Sequence, residues 1–210
     1  MFDMDFLVPR RALLARLPTG SAAGATFVND LTVAPSGDVY ATDSRDPVIL
    51  RVATDASGQL RLERWRELAG TPIVYGTGFN LNGIAATADG LYLLAVQSNT
   101  GKLYRVGLAD KAVVEVPIAG TTLANGDGLL LDGRTLYAVR NADRLIARLQ
   151  MAADFASATL VGTTTDPAFA FPTTIARADD RLLVVNSQLD RRTAGTAPAL
   201  PFTLSSIALP

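Results

Sequence analysis

Three polar steps of similar type recur along the chain, and their side chains carry oxygen atoms that could bind a hard metal ion. They are Asn29-Asp30, Asn82-Gly83 and Asp127-Gly128. Each comes directly before a short apolar segment that is predicted to be a strand. Amide and carboxylate oxygens are the ligands that calcium prefers. If folding brings these steps together, we expect a calcium site with Asn29, Asn82 and Asp127 as ligands.

The amino-acid composition excludes most kinds of catalytic chemistry that do not rely on oxygen groups. The 210 residues include no His and no Cys, which excludes disulfides, thiolate nucleophiles, imidazole bases, Ser-His-Asp triads and ordinary zinc sites. The formal net charge is −1, from 19 basic and 20 acidic residues, without a run of like charges. Nucleic acid and anionic membrane surfaces are therefore not expected as partners, because both need a concentrated basic face.

The polar steps belong to a longer repeated phrase, in which two apolar strands flank a tight turn and a polar tail follows. Successive phrases begin 53, 45 and 46 residues apart. This period is typical of the four-stranded blades of a β-propeller. The four phrases are NDLTVAPSGDVYATDS from Asn29, NGIAATADGLYLLAVQS from Asn82, DGLLLDGRTLYAVRN from Asp127 and TTIARADDRLLVVNS from Thr173.

The repeat predicts an all-β protein that forms a single partial β-propeller domain over residues 1–210. About four blades are expected, at residues 26–70, 80–119, 125–165 and 171–210, with a stray outer strand at 11–19. The innermost strands of the first three blades should begin at Leu31, Ile84 and Leu129. The polar steps precede these strands, which places them at one mouth of the central channel. Ser36-Gly37, Asp89-Gly90 and Asp132-Gly133 are predicted to be hairpin turns instead.

A structural interpretation of the polar steps stays open. Asn and Asp are common at strand ends, where their side chains form Asx-turns without any ligand. GTGFNLNG at residues 76–83 is rich in glycine but lacks the spacing of a nucleotide-binding loop and does not open a helix. No nucleophile elbow, P-loop or EF-hand motif is present in the sequence.

Several phrases resemble the senescence marker protein / gluconolactonase family, also called the calcium-dependent phosphotriesterase superfamily, of six-bladed propellers. They are FVNDLTVAPSGDVYATDS, GFNLNGIAATADG, NGDGLLLDG and FPTTIA, and the resemblance extends over nearly everything after residue 11. It implies a divalent metal, usually calcium, in the channel. By motif, the ligands carried over are Asn29, Asn82 and Asp127, and the Asp is also a candidate base or nucleophile.

The chain also departs from the family pattern. The family's first blade, which supplies a Glu ligand, and most of its second blade have no counterpart here. Asp127 is then the one certain carboxylate of the transferred site, with Asp30 close by. Because calcium affinity follows the number of charged ligands, we expect weak binding, with a dissociation constant of about 10⁻⁴ to 10⁻³ M or poorer.

The resemblance implies a metal-dependent hydrolase of lactones or esters. In this hypothesis the metal polarises a carbonyl or phosphoryl oxygen, and Asp127 or Asp30 activates water. The alternative is a noncatalytic propeller that binds a small molecule or protein at the channel mouth, since a shared fold does not establish a shared activity. A gene fragment without independent function is a third interpretation.

The sequence also suggests expectations about assembly and location. An incomplete ring leaves open sheet faces and edges, so self-association is expected. The first residues, MFDMDFLVPRRALLARLPTG, do not resemble a secretory signal, because acidic residues precede the apolar stretch. A soluble protein is expected, and its compartment stays undecided.

Overall fold

The protein forms four antiparallel β-sheets that lie side by side as blades of a β-propeller. This arrangement is seen in the computed structural model, which describes residues 25–210. The predicted all-β propeller class is confirmed. The predicted stray strand at residues 11–19 and the assessment of the N-terminal segment lie outside the described residues. Within residues 25–210, no helix is long and apolar enough to cross a membrane.

Each of the first three blades has four strands that follow one another in sequence, and the fourth has three. Blade 1 comprises β1 (Val28–Val33), β2 (Val39–Asp43), β3 (Val48–Thr54) and β4 (Leu60–Glu67). Blade 2 comprises β5 (Leu81–Ala86), β6 (Tyr92–Gln97), β7 (Lys102–Gly107) and β8 (Val113–Val116). The short strand β9 (Ile118–Ala119) then crosses to the outer edge of the next blade.

Blade 3 comprises β10 (Gly126–Asp132), β11 (Thr135–Arg140), β12 (Leu145–Met151) and β13 (Ala158–Thr165), and β9 pairs in parallel with β13. Blade 4 comprises β14 (Pro172–Ala178), β15 (Arg181–Asn186) and β16 (Thr203–Ala208). The polar insertion between β15 and β16 carries a five-residue helix, α1 (Leu189–Thr193). This short helix has no apolar periodicity from which the sequence would predict it.

The hairpin turns lie where the sequence predicts them. Gly37, Gly90 and Gly133 each separate the first two strands of a blade and have φ values of 89°, 71° and 58°. Side chains larger than glycine are disfavoured in this left-handed region. These three steps are therefore structural.

Three apolar cores lie between the four blades. A strand that lies between two cores packs alternate side chains into each of them, since successive side chains of a strand point to opposite faces. In β11, Leu136 and Ala138 pack towards blade 2, whereas Tyr137 and Val139 pack towards blade 4. Trp65 lies in the core between blades 1 and 2 and contacts the ring of Tyr40 edge-on at 4.9 Å. The blades are thus held together face to face.

The innermost strand of every blade contains a β-bulge at the same place. The register with the second strand shifts between Val28 and Leu31, and between the matching residues of β5, β10 and β14. The polar steps occupy these bulges, so they lie inside the innermost strands and not before them as predicted. The bulge interrupts the alternation of apolar and polar residues, which explains why the predicted strands began three residues late.

The outer faces of blades 1 and 4 remain uncovered by any other described blade. Leu31 and Val33 are 61% and 60% exposed on blade 1, and Phe202 and Leu204 are 57% and 64% exposed on blade 4. Apolar patches of this kind mark interaction surfaces. We propose that blade 4 of one copy stacks on blade 1 of another, which would repeat the face-to-face packing seen within the chain.

Light scattering tests this self-association. The apparent mass is expected to rise with protein concentration, and Leu31→Asp or Leu204→Asp should return it towards that of the monomer. Val74→Asp is a suitable control, because Val74 is 74% exposed on the loop between blades 1 and 2. A monodisperse monomer at high concentration would contradict the proposal.

Candidate functional site

The four bulges direct one residue each into a common cavity at the mouth of the channel. These residues are Asn29, Asn82, Asp127 and Thr173, and the cavity has a volume of about 750 Å³. The structure thus brings the three proposed metal ligands to one place. It adds Thr173 of blade 4 as the fourth member of the series. A bulge of this type re-aims a side chain that would otherwise lie on a face between blades.

Two of the bulge residues, Asn29 and Asp127, form a hydrogen bond with the polar residue that follows the second strand of their own blade. Asn29 Nδ2 donates to Ser44 Oγ at 2.9 Å, and Asn141 Nδ2 donates to Asp127 Oδ2 at 3.0 Å. Ser98 follows β6 and lines the same cavity. The polar tail of the repeated phrase therefore supports the bulge residue from the neighbouring strand.

Asn82 is the most unusual side chain of the site. It is 5% exposed, and its Oδ1 atom has no hydrogen-bond partner although it is fully buried. Leaving a buried acceptor unpaired costs about 1 to 3 kcal/mol. A hydrogen bond from Thr42 Oγ1 to the Asn82 backbone oxygen, at 2.5 Å, fixes the backbone at this point. The backbone of Asn82 is thus fixed, while its side-chain amide oxygen is left without a partner.

Asp127 lies partly buried beside Asn82, and its environment opposes ionisation. Desolvation raises the pKa of the Asp127 carboxyl to about 6, and the charge of Asp30 acts in the same direction. Hydrogen bonds from Asn141 and Asn82 oppose this rise. A carboxyl with this pKa can exchange protons near neutral pH, which suits a general base.

Asp30 lies in a different part of the channel from Asp127. It lines a second cavity of about 250 Å³, formed by the innermost strands beyond their bulges. Its Oδ1 accepts from the Leu31 N–H at 2.9 Å and its Oδ2 accepts from the Ile84 N–H at 3.1 Å. Burial raises the pKa of Asp30. Both carboxylate oxygens of Asp30 thus accept backbone hydrogen bonds, and its Oδ2 joins blade 1 to blade 2, so the geometry favours Asp127 as the base.

Asn141 belongs to the site but is not among the residues predicted from the sequence. The repeat does indicate it, because Asn141 ends the third repeat at the position where Ser44 and Ser98 end the first two. By contrast, Gln97 and Arg140, at the ends of the second strands of blades 2 and 3, bind loops. Gln97 Nε2 donates to Val74 O at 2.9 Å, and Arg140 Nε donates to Ala124 O at 3.0 Å.

The donor set can be tested for its fit to calcium. Asn29 offers an amide oxygen, Asn82 offers the unpartnered Oδ1, and Asp127 offers a carboxylate, all at one cavity. Among residues 25–210, no group of three or more His, Cys, Asp or Glu side chains is placed to hold a metal ion. The residues therefore fit a hard cation whose ligands are mostly neutral oxygens. Because few of these ligands are charged, we expect a low affinity for calcium.

The rim of the cavity is aromatic and basic. Phe27 and Phe79 contact each other edge-on at 5.2 Å between ring centroids, and Phe171 and Leu189 also line the opening. Arg45 follows β2 and Arg192 belongs to α1, so the cavity meets basic side chains from both ends of the arc of blades. Such a cavity, with apolar walls and a few convergent polar groups, is of the size and kind that binds small molecules.

Comparison with known proteins supports the fold. No protein-family model matches the sequence, and no curated protein matches it significantly. Solved structures do match. The allergen Mala s 1 of Malassezia sympodialis is 15% identical, with a TM-score of 0.57, over 80% of this chain and 53% of that one.

Two enzyme structures match to a similar extent. A catalytically inactive virginiamycin B lyase from Staphylococcus aureus is 16% identical with a TM-score of 0.57, over 91% of this chain and 58% of that one. A "putative 6-phosphogluconolactonase" from Bacteroides fragilis is 17% identical with a TM-score of 0.55, over 80% and 49%. The likeness is one of fold. The chain spans about half the length of the structures it matches.

Proposed function

We propose that the protein is a metal-dependent hydrolase of lactones or esters, similar to the gluconolactonases of the senescence marker protein family. One observation carries this proposal. The residue with the buried, unpartnered oxygen, Asn82, and the carboxyl of Asp127 lie at the same cavity. The two "putative 6-phosphogluconolactonase" structures from Bacteroides species, which share the fold, lend support.

Asn29, Asn82 and Asp127 would hold the calcium ion. When bound, calcium supplies electrostatic polarisation of a carbonyl or phosphoryl oxygen. The Ser44 hydroxyl orients the Asn29 amide, and the backbone of Asn82 is anchored by Thr42. These contacts hold the oxygens in place before any ligand arrives, which lowers the cost of ordering them.

Asp127 accepts the proton of the attacking water in the proposed reaction. The water oxygen adds to the carbonyl carbon, the ring or ester C–O bond breaks, and the departing oxygen takes up a proton. Asn141 holds one oxygen of Asp127 through its Nδ2 atom, which orients the carboxyl at the cavity. A general base contributes about 10²- to 10⁴-fold to the rate of such a step.

A noncatalytic binding role is the second candidate. The aromatic rim and the volume of the cavity favour a small-molecule ligand whether or not hydrolysis follows. The two candidates differ in what removal of calcium does. Hydrolysis should stop when the metal is chelated, whereas binding to the aromatic rim should continue.

Calcium titration calorimetry tests the metal site directly. We expect a dissociation constant of about 10⁻⁴ to 10⁻³ M or weaker at neutral pH, and no measurable binding in Asn82→Ala. Asn99→Ala is the matched control, because Asn99 lines the same cavity but its amide donates to Thr77 O at 3.0 Å and lies outside the bulge series. A micromolar constant, or equal loss in both variants, would contradict the proposed site.

The same titration has a predicted pH dependence. Calcium binds the ionised form of Asp127, and the pKa of this carboxyl is about 6 in the chain without a ligand. Affinity should therefore fall about tenfold between pH 7 and pH 5, since protons then compete for the carboxylate.

A further inference from the structure

Basic side chains outnumber acidic ones among the residues that line the mouth of the candidate site. Among the described residues that line the cavity, Arg45 and Arg192 are basic and Asp127 is the single acid. The whole chain has a net charge of −1, so this excess is local. Arginine side chains at the mouth of a cleft attract ligands of negative charge.

The loop that presents Arg45 is held by a buried carboxylate. Asp43 Oδ1 accepts from the backbone N–H groups of Phe27 at 2.8 Å, Arg45 at 2.8 Å and Asp46 at 2.9 Å. Burial raises the pKa of Asp43, but the hydrogen bond from the Thr26 hydroxyl and these backbone bonds together lower it below its usual value. Asp43 is fully buried, and it fixes Phe27 and Arg45 together at the rim. The Arg45 guanidinium lies over the Phe27 ring at 5.8 Å from its centroid.

Arg192 approaches the cavity from the opposite end of the arc. The insertion that carries it is anchored through Gln188, whose Nε2 donates to Ala199 O at 2.8 Å and whose Oε1 accepts from the Ala199 N–H at 2.8 Å. Within the part of the chain that the structure describes, the Arg192 guanidinium makes no hydrogen bond or ion pair, in contrast to its neighbour Arg191, which donates to Ala197 O at 3.2 Å. Arg192 is exposed and available to a ligand.

Apolar rings lie between the two arginines and the polar floor. Phe27 and Phe79 are 41% and 50% exposed, although burial of aromatic side chains is strongly favourable. Both line the cavity together with Phe171. A ligand that covers these rings would gain from the removal of their surfaces from water.

We propose that the site takes an amphipathic anion, namely a lactone, ester or hydrolysis product that carries a carboxylate or phosphate group beside an aromatic or aliphatic body. The anionic group pairs with Arg192, with Arg45 adding to the field, and the apolar body covers the phenylalanine rings. This inference rests on the proposed function because it concerns the same cavity. It names a substrate class that neither the fold nor the metal ligands determine.

Binding of two matched probes tests the inference without hydrolysis. The probes are 4-phenylbutanoate and the neutral 4-phenylbutanol, titrated into the metal-free wild-type chain by calorimetry. We expect the acid to bind about tenfold more tightly than the alcohol, since a charge-assisted pair with Arg192 is made by the acid alone. Adding 1 M salt should reduce this preference. Phenylpropyl phosphate in the same assay shows whether carboxylate or phosphate is preferred.

Two glutamine variants locate the anion. Arg192→Gln should remove most of the preference for the acid, whereas Arg191→Gln should keep it, because Arg191 lies on the same helix but does not line the cavity. Both residues are exposed, so unchanged thermal unfolding is expected. Equal binding of acid and alcohol, equal loss in the two variants, or no binding of either probe would overturn the inference. Acid preference without any lactone hydrolysis would leave it standing and refute only the hydrolase proposal.

Discussion

Asp127→Asn is expected to abolish metal-dependent hydrolysis of lactones and esters. The substitution keeps the shape of the side chain, but an amide neither accepts the proton of water nor adds a charge to the metal site. We expect kcat/KM to fall by about 10² to 10⁴. Rates of dihydrocoumarin and phenyl acetate hydrolysis, measured with calcium and with a chelator, provide the readout.

The pH dependence of hydrolysis by the wild-type chain should reflect the ionisation of the same carboxyl, that of Asp127. Activity should rise with pH as Asp127 loses its proton. The pKa of Asp127 is about 6 without a bound cation, and a cation lowers it further. The midpoint of the rise is therefore expected at or below pH 6.

The control for this experiment is Asp132→Asn, at the other end of the same strand. Asp132 pairs with Arg177 at the surface, and exposed ion pairs contribute little to stability. It should retain full activity. Equal calcium-dependent rates in Asp127→Asn and the wild type would show that the hydrolytic centre lies elsewhere. The absence of calcium-dependent hydrolysis in both chains would favour the binding role.

Gly83→Ala is expected to destabilise the fold by about 3 kcal/mol or more. A Cβ atom at Gly83 would lie 2.1 Å from the backbone oxygen of Asp127 and 2.9 Å from the backbone nitrogen of Leu129. Both are atoms of the next blade's innermost strand, and neither is the end of a flexible side chain. The blades would have to separate at the level of the bulges, which would also disturb the cavity above.

Urea unfolding measures this effect through a shift of the midpoint at unchanged slope. Gly76→Ala is the control, because a Cβ there would meet only the Asn99 side chain at 3.5 Å, an ordinary contact distance. Gly128→Ala should resemble Gly83→Ala, since its Cβ would lie 2.8 Å from Thr174 Cα. A loss below about 1 kcal/mol in Gly83→Ala would mean that the inner strands can part more easily than their packing indicates.

Gly83 and Gly128, the glycines of two polar steps, are required for a reason that the sequence pattern does not show. The sequence predicts that Asn82-Gly83 and Asp127-Gly128 precede a strand, but it gives no reason for glycine at the second position of each step. Neither Gly83 nor Gly128 has a positive φ. They are glycines because adjacent blades approach most closely there, and that distance depends on residues about 45 positions away in the chain.

Local and periodic features of this protein follow from the sequence alone. The 45- to 53-residue spacing of the repeats predicts blades, and the turn glycines predict the hairpins, because both depend on contacts within a few residues. The lack of His and Cys restricts chemistry to oxygen groups irrespective of the fold. The recurrence of Asn29, Asn82 and Asp127 at one blade position also sufficed to predict that they would meet at the channel mouth.

The tertiary structure decided which polar groups act together and in what environment. Asp30 is the second residue of its polar step and Asp127 is the first, and the bulges direct the two side chains into separate cavities. Both oxygens of Asp30 are engaged by backbone N–H groups. Asn141 supports Asp127 through pairing across strands, and Arg192 reaches the mouth from an insertion without repeat periodicity. Burial, orphaned acceptors and raised pKa values arise from packing between distant segments, so no local pattern in the chain encodes them.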